Sequence, residues 1–525
     1  MYVAGCNVMT HEARFALRVR NIGWNTIYQI GSQVAPALAA IAAIPFLLRH
    51  LGSEVFGIIT IFSTALLYFT MLDLGLGRAA TRFIAQSMER GRWDDLRRYF
   101  WSSIVLLSGM GVVVGGICLL GVSSFVTAYL KIPPNYSHAA SISFYILCLT
   151  LPVVTLTSTL RGFLEASDRF LYISIVGGCI GVCTYVLPAL AVLLGGGLIT
   201  VAVVFASVRL AMCAALAIGC LRIEGRPSLR PIFDLAAVRQ MLAFGGWLSV
   251  SNIVGSVMIY CDRFFIGICV GMSAVASYGM PLDVIGRLQI LISSFCAVLF
   301  PVMSRLDESR SPQFQSVYRG AVAVGLSLMT LITTAGVVAA PTVMKFWLGD
   351  HNTSETIFAA QVFLAGALVQ SVASIAWTAL HARGRSDLTA WIHLAEFPLY
   401  LVAFYWATIR FGVRGAALVW LARGIVDFLC MVIALRVQRV GSGFSVPPEV
   451  VAAIVSLGAL SIVNLPLAKA AAIAALLCIL AWVWTWGTLV DPAAKTQLTM
   501  LLRRWRNSGA TYQASGKGEF RRIDE

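Results

Sequence analysis

The residues able to do chemistry are polar and charged side chains set inside long apolar runs. One run holds Asn25, Gln29, Ser32 and Gln33. Spacing of four puts Asn25, Gln29 and Gln33 on one helix face. Such a face either ties helices together by hydrogen bonds or walls a cavity that receives sugar hydroxyls. A second run ends Leu72-Asp73-Leu74-Gly75-Leu76-Gly77-Arg78, with Arg82 one turn on. Arg161 closes a third run, and Arg209 stands alone in another. Asp283 and Arg287 are four apart and placed to pair on one face, as are Arg423 and Asp427. Cys261-Asp262-Arg263 ends its run and reads as an ion pair at an interface. His393 and Glu396 lie one turn apart inside a later run. An Arg or Asp at the centre of a membrane helix costs about 2.5–3.5 kcal/mol on the insertion scale, which makes an interior cavity the default reading of these sites. Guanidinium groups there suit an anion such as a phosphate, which they can hold bidentately. Histidine beside carboxylates suits proton or ion passage, so His393, Glu396 and Asp427 are candidates for ion coupling.

Other chemistries find no residues. The Gly-x-x-x-x-Gly-Lys phosphate loop is missing, so the chain is not itself an ATPase. The twelve cysteines fall mostly in apolar runs, where they pack as small hydrophobes, and none has zinc-ligand spacing. Cys179 and Cys183 share a helix face and read as packing. No metal site is expected.

Those residues need a membrane around them. Of 525 residues, 59% are hydrophobic and only 12% charged, against about 25% charged in a soluble domain. So little charge cannot cover a water-exposed surface, which excludes a soluble enzyme, a disordered chain and a disulfide scaffold. Apolar runs of about 20 residues predict membrane helices over 22–48, 55–77, 100–127, 139–160, 170–194, 197–220, 241–261, 277–302, 318–343, 356–380, 388–409, 414–435, 449–467 and 470–490. Residues 1–21 lack the features of a signal peptide, so the first helix is expected to be an uncleaved anchor. The formal charge of +15 raises nucleic acid as a partner, but its distribution removes that reading. With the N-terminus inside, 29 of the 39 Lys and Arg fall on the inner side, 7 on the outer side and 3 within helices. That asymmetry predicts N-in, C-in topology.

The chain divides at Leu221–Arg239, which carries Pro227 and Pro231. The expected organisation is an inner N-terminal segment (1–21), a first lobe (22–220), a linker (221–240), a second lobe (241–440), a helix hairpin (441–490) and a basic inner tail (491–525). An offset of 219 pairs Tyr99 with Tyr318, Thr159 with Thr378, Ser167-Asp168 with Ser386-Asp387, and Gly196 with Gly415. The fold class expected is therefore an all-α polytopic membrane protein of about fourteen helices, with two pseudo-symmetric six-helix lobes and an appended hairpin.

The stretch Phe46-Leu47-Leu48-Arg49-His50-Leu51-Gly52-Ser53-Glu54-Val55-Phe56-Gly57, followed by Leu72-Asp73-Leu74-Gly75-Leu76-Gly77-Arg78-Ala79, resembles the N-terminal signature of the bacterial polysaccharide biosynthesis proteins. These are the O-antigen and capsule flippases of the multidrug/oligosaccharidyl-lipid/polysaccharide exporter superfamily. Cys261-Asp262-Arg263-Phe264-Phe265-Ile266-Gly267 and Phe300-Pro301-Val302-Met303-Ser304 look like that family's second half. The resemblance covers roughly residues 20–440. It implies two lobes forming a V around a central cavity, in the bacterial inner membrane. It implies flipping of an undecaprenyl-diphosphate-linked oligosaccharide by alternating access, driven by a proton or sodium gradient, with no other cofactor. Membrane lipids surround such a protein, and a polysaccharide polymerase and chain-length regulator are its implied partners. Its cationic cavity maps onto Arg78, Arg82, Arg161, Arg209, Arg287 and Arg423, with Asn25, Gln29, Gln33, Asp73 and Asp283 as further cavity residues. Lysine is absent from the predicted membrane interior, a departure from that pattern.

Three alternatives compete. A peptidoglycan lipid II flippase would carry an N-terminal Ser-Arg-containing signature, which is not seen here. A multidrug exporter of the same superfamily would favour an acidic cavity for organic cations, whereas Arg outnumbers acid in these helices. A membrane glycosyltransferase or polymerase would carry a large outer catalytic loop, and the longest outer loops, near 131–138 and 345–355, are of ordinary length.

Overall fold

A computed structural model describes residues 11–71, 76–223, 231–304, 306, 312–437 and 467–488; side chains are described over most of this range, though not before residue 31. The fold is helical, with no strand among the described residues. In hydrocarbon every backbone N–H and C=O needs an internal partner, and a helix supplies one within each segment. The helices are α1 (His11–Met71), α2 (Leu76–Glu89), α3 (Trp93–Ser124), α4 (Pro134–Leu149), α5 (Leu151–Ala166), α6 (Phe170–Leu193) and α7 (Leu198–Leu221) in the first half. The second half has α8 (Leu235–Cys269), α9 (Met272–Ile285), α10 (Gln289–Ser304), α11 (Pro312–Leu348), α12 (Ser354–Ala382) and α13 (Ser386–Val437). A last helix, α14, runs Leu467–Thr488.

Among the described residues, nine helical stretches are long and apolar enough to cross a bilayer. Every predicted span falls on a described helix except 449–467, which lies outside the described residues together with the basic tail. Two pairs of predicted spans share one helical run each, in α1 and in α13, and the spans on α8 and α14 are not among the nine. Gly52 (φ 78°, ψ 167°) interrupts α1 and Gly412 (φ 57°, ψ −137°) interrupts α13. Both conformations are open to glycine and strained for residues with a Cβ. Both lie where the sequence predicts loops, so the expected turns are sharp glycine kinks. Large apolar side chains such as Leu120 on α3 and Leu399 and Val402 on α13 point outward. That is how a lipid-facing surface differs from a soluble one.

α1 is the central strut. It packs on α6 of its own half and on α9 of the other. A Cβ at Gly57 would fall on the carbonyl of Met272, so the α1–α9 backbones meet directly there. Small residues permit such approaches between membrane helices. α12 is the most enclosed helix, surrounded by α9, α10, α11 and α13. α8 joins both halves. Its start buries Val238 and Met241 with Leu96 and Leu107 of α3. Its far end meets the connection after α3, where the Lys131 backbone N–H donates to the Gly267 carbonyl at 3.2 Å and Lys131 Nζ to the Cys269 carbonyl at 2.5 Å. Trp347 Nε1 donates to the Ile41 carbonyl at 2.7 Å, so α11 also meets α1.

The internal repeat is visible in turn geometry. Asp168 and Gly384 both have positive φ in the turns before α6 and α13, and Gly195 matches Gly412. Both pairs fall slightly short of the 219-residue offset. Ser167-Asp168 therefore sits in a turn whereas Ser386-Asp387 opens a helix. That sequence match does not join structurally equivalent positions.

Candidate functional site

A cavity of about 390 Å³ lies where α1, α5 and α6 meet the break between α9 and α10. Gln33 and Ser32 enter it from α1, Arg161 and Glu165 from α5, and Ser174 from α6. The last wall is Arg287, from the other half of the chain. Arg287 arrives through a local change of helix type. Gly286–Leu288 is a 3₁₀ turn inserted between α9 and α10, and such mid-helix insertions often mark functional hinges.

Arg287 Nη2 donates to the Tyr185 hydroxyl of α6 at 2.6 Å, and its guanidinium carbon lies 5.3 Å from the centre of the Tyr185 ring. Its Nε is buried with no hydrogen-bond acceptor among the described residues. Arg161 Nε donates to Glu165 Oε1 at 2.8 Å, one turn along the same helix. Glu165 thus neutralises Arg161 in part, and Arg287 adds a cation to which no acid is bonded among the described residues. The cavity walls carry two arginines, one carboxylate, one amide and two hydroxyls. This is a polar site with surplus positive charge and donors spread over four helices.

The other candidates lie elsewhere. Arg78 and Arg82 are on the exposed side of α2, which packs on α5 through Thr81 against Gly162. Arg209 is half-buried in α7 and lines no part of this cavity. The side chains of Asn25, Gln29 and Asp73 lie outside the described residues.

Three expected pairings are replaced. Asp283 does not bond Arg287; it pairs with Nη2 of Arg263. Cys261-Asp262-Arg263 is not an exposed interfacial segment. Asp262 is 0% and Arg263 5% exposed, and the Arg263 backbone N–H donates to Asp262 Oδ1 at 2.7 Å. The reason is that α8 continues to Cys269, so the pair sits within the helix. Arg423 does not pair with Asp427 either. Its Nη1 donates to the Met258 carbonyl at 3.0 Å, and its guanidinium carbon lies 5.3 Å from the Tyr400 ring centre. Asp427 instead meets His393, with Oδ1 3.2 Å from Nε2. That is an ion-pair distance without hydrogen-bond alignment, since Oδ1 accepts no hydrogen bond among the described residues. For Asp283 a partner on the neighbouring α8 wins over the residue one turn away, and for Asp427 a partner on the other side of the Gly412 kink of α13 does.

His393, Glu396, Arg423 and Asp427 form a second polar centre, within α13. Glu396 is buried, and neither carboxyl oxygen has a hydrogen-bond partner among the described residues. Gln370, Arg423 and Asp427 line a void of about 10 Å³ beside it, close to the minimum that holds one water. No group of three His, Cys, Asp or Glu suited to a metal occurs among the described residues.

Tyr185 and Glu165 are site residues that the sequence reading passed over. Tyr185 is one of several hydroxyls in a largely apolar span, a weak signal. Glu165 four residues after Arg161 is the stronger one.

Residues 22–307 match the family described as polysaccharide biosynthesis protein. The chain belongs to that family. Its long apolar helices make it a multi-pass membrane protein. This polysaccharide biosynthesis protein is 28% identical over 415 residues to the "Putative O-antigen transporter" of Shigella flexneri, covering 78% of this chain and 96% of that one. Its fold resembles two solved structures. One is the lipid II flippase MurJ in an inward closed conformation, with a TM-score of 0.68 at 11% identity over 88% of this chain and 98% of that one. The other is an inward-facing multidrug resistance MATE family transporter of the MOP superfamily, with a TM-score of 0.67 at 15% identity over 80% of this chain and 100% of that one. At these identities the likeness concerns fold alone.

Proposed function

We propose that this polysaccharide biosynthesis protein carries an undecaprenyl-diphosphate-linked oligosaccharide across the bacterial inner membrane by alternating access. The observation that carries the reading is Arg287, which crosses from the second half into a polar cavity of the first and faces Arg161 and Gln33 there. Guanidinium donors from both halves suit a diphosphate, because charge-assisted bonds to phosphate are short and strong. Gln33, Ser32 and Ser174 suit the first sugar hydroxyls. An organic cation would meet two arginines and one already paired carboxylate, which argues against a multidrug exporter.

With the N-terminus inside, as the charge asymmetry predicts, the cavity lies toward the cytoplasm. The contacts of Lys131 with α8 and of Trp347 with Ile41 then lie at the outer end. On that orientation the halves are closed outside and the substrate site faces inward. His393, Glu396 and Asp427 are the proton-exchanging groups by which the gradient drives return. Hydrocarbon-depth carboxylates beside a histidine are the expected hardware of a proton path.

Complementation tests the reading. Cells whose own flippase is replaced by the Arg287→Ala or Arg161→Ala variant should lose most surface polysaccharide on a gel while the protein stays in the membrane at its normal level. Full polysaccharide in both single variants and in the double would overturn it.

A further inference from the structure

Four ionisable side chains lie on or beside the segment that delivers Arg287. Asp262 and Arg263 come from α8, and Asp283 and Arg287 from α9 and the turn after it. Asp283 and Arg287 are one helical turn apart, the spacing at which opposite charges ordinarily meet. They do not meet here. Asp283 is held by Arg263, which is itself buried. The Arg263 backbone N–H donates to the carboxylate of the fully buried Asp262. Arg287 is thereby released to reach Tyr185 and the cavity.

We propose that Arg263 is a positioning residue for substrate binding: by occupying Asp283 it keeps that carboxylate from neutralising Arg287, and so keeps the cavity cationic. The inference rests on the reading of Arg287 as a diphosphate ligand. If Arg263 were absent, Asp283 would lose its only bonded partner among the described residues. Its nearest cation along the helix would then be Arg287. A pair formed there would compete with an incoming anion, and the site would weaken although none of its lining residues had changed. A buried ion pair also has a bland role, since breaking one destabilises a fold. The two roles differ in how they combine with loss of Arg287.

The test measures binding of undecaprenyl diphosphate to purified full-length protein in detergent, together with thermal unfolding. Arg287→Ala should weaken binding about tenfold, the loss of one hydrogen bond to a charged group. Arg263→Gln should weaken it by a similar factor. Adding Asp283→Asn to Arg263→Gln should restore affinity to near the wild-type value, because no carboxylate remains to capture Arg287. In the Arg287→Ala background, Arg263→Gln should change affinity no further, since it acts through Arg287. If Arg263→Gln does not fold, Arg263→Lys replaces it. Lysine keeps the buried charge but loses the fork, and should give a smaller weakening, again restored by Asp283→Asn. Wild-type affinity in Arg287→Ala would overturn the substrate reading and this inference together. Weak binding in Arg287→Ala with normal binding in the Arg263 variant, no restoration by Asp283→Asn, or an added loss in the Arg287→Ala background would overturn this inference alone.

Discussion

Arg287 of the second half, which lines the cavity, donates to the hydroxyl of Tyr185 in the first half at 2.6 Å. The bond makes the position of the arginine depend on how the halves sit together. A residue that binds an anion in one arrangement and is drawn away in another is what alternating access needs.

Removing the hydroxyl tests that dependence. Tyr185→Phe keeps the ring under the guanidinium and deletes the acceptor. A hydrogen bond to a charged group is worth about 1.5–3 kcal/mol, and membrane hydrogen bonds average nearer 0.6 kcal/mol. Binding of undecaprenyl diphosphate should weaken roughly three- to tenfold, with little change in thermal unfolding. Equal affinity in the variant would show that the ring alone positions Arg287.

The close approach of α1 to α9 predicts a stability effect. Gly57→Val would drive a side chain into the Met272 backbone. Overpacking of this kind costs about 1–3 kcal/mol or more. The variant should unfold several degrees below wild type in a detergent thermal scan. An unchanged midpoint would mean that the two helices are further apart than described here.

Lys131 ties the connection after α3 to the end of α8 by bonds from both its backbone and its ammonium. Lys131→Met removes only the ammonium bond. Exposed ionic contacts contribute about 0.2–1 kcal/mol, so the closed arrangement should lose roughly a factor of two to five in population. A cysteine placed at Met272 in a cysteine-free background should label correspondingly faster with an impermeant maleimide. An unaltered labelling rate would remove Lys131 from the closure of that end.

The second polar centre predicts a change in energetics rather than binding. In proteoliposomes with an imposed pH gradient, wild-type transport should follow the gradient. The double variant His393→Asn, Glu396→Gln should carry substrate downhill at a rate indifferent to it, and its affinity for undecaprenyl diphosphate should stay near wild type. A double variant that still follows the gradient would relocate coupling to other residues.

Much of the fold is legible in the sequence because membrane helices obey few rules. Apolar run length located nearly all the helices, whereas the kinks at Gly52 and Gly412 stand where the sequence predicts loops. Pairing was less legible. Asp283 with Arg287 and Arg423 with Asp427 both satisfy the one-turn rule, yet each acid takes a partner that the one-turn rule does not reach, Arg263 on α8 for one and His393 an earlier part of α13 for the other. Periodicity reports which residues share a face of one helix. It does not report which face of the next helix lies opposite, and that decides where a long guanidinium reaches. The same limit explains why Arg161 and Arg287 were grouped with four other arginines that the fold sends elsewhere.

The most direct measurement is translocation itself. Protein reconstituted in proteoliposomes would be given an undecaprenyl-diphosphate-linked oligosaccharide, with crossing read by access of an impermeant lectin to the sugar. The account predicts that wild type moves the lipid and that Arg287→Ala moves it at least about tenfold more slowly, the cost of one charge-assisted bond. No movement by well-folded wild type, or equal rates in the two proteins, would contradict it.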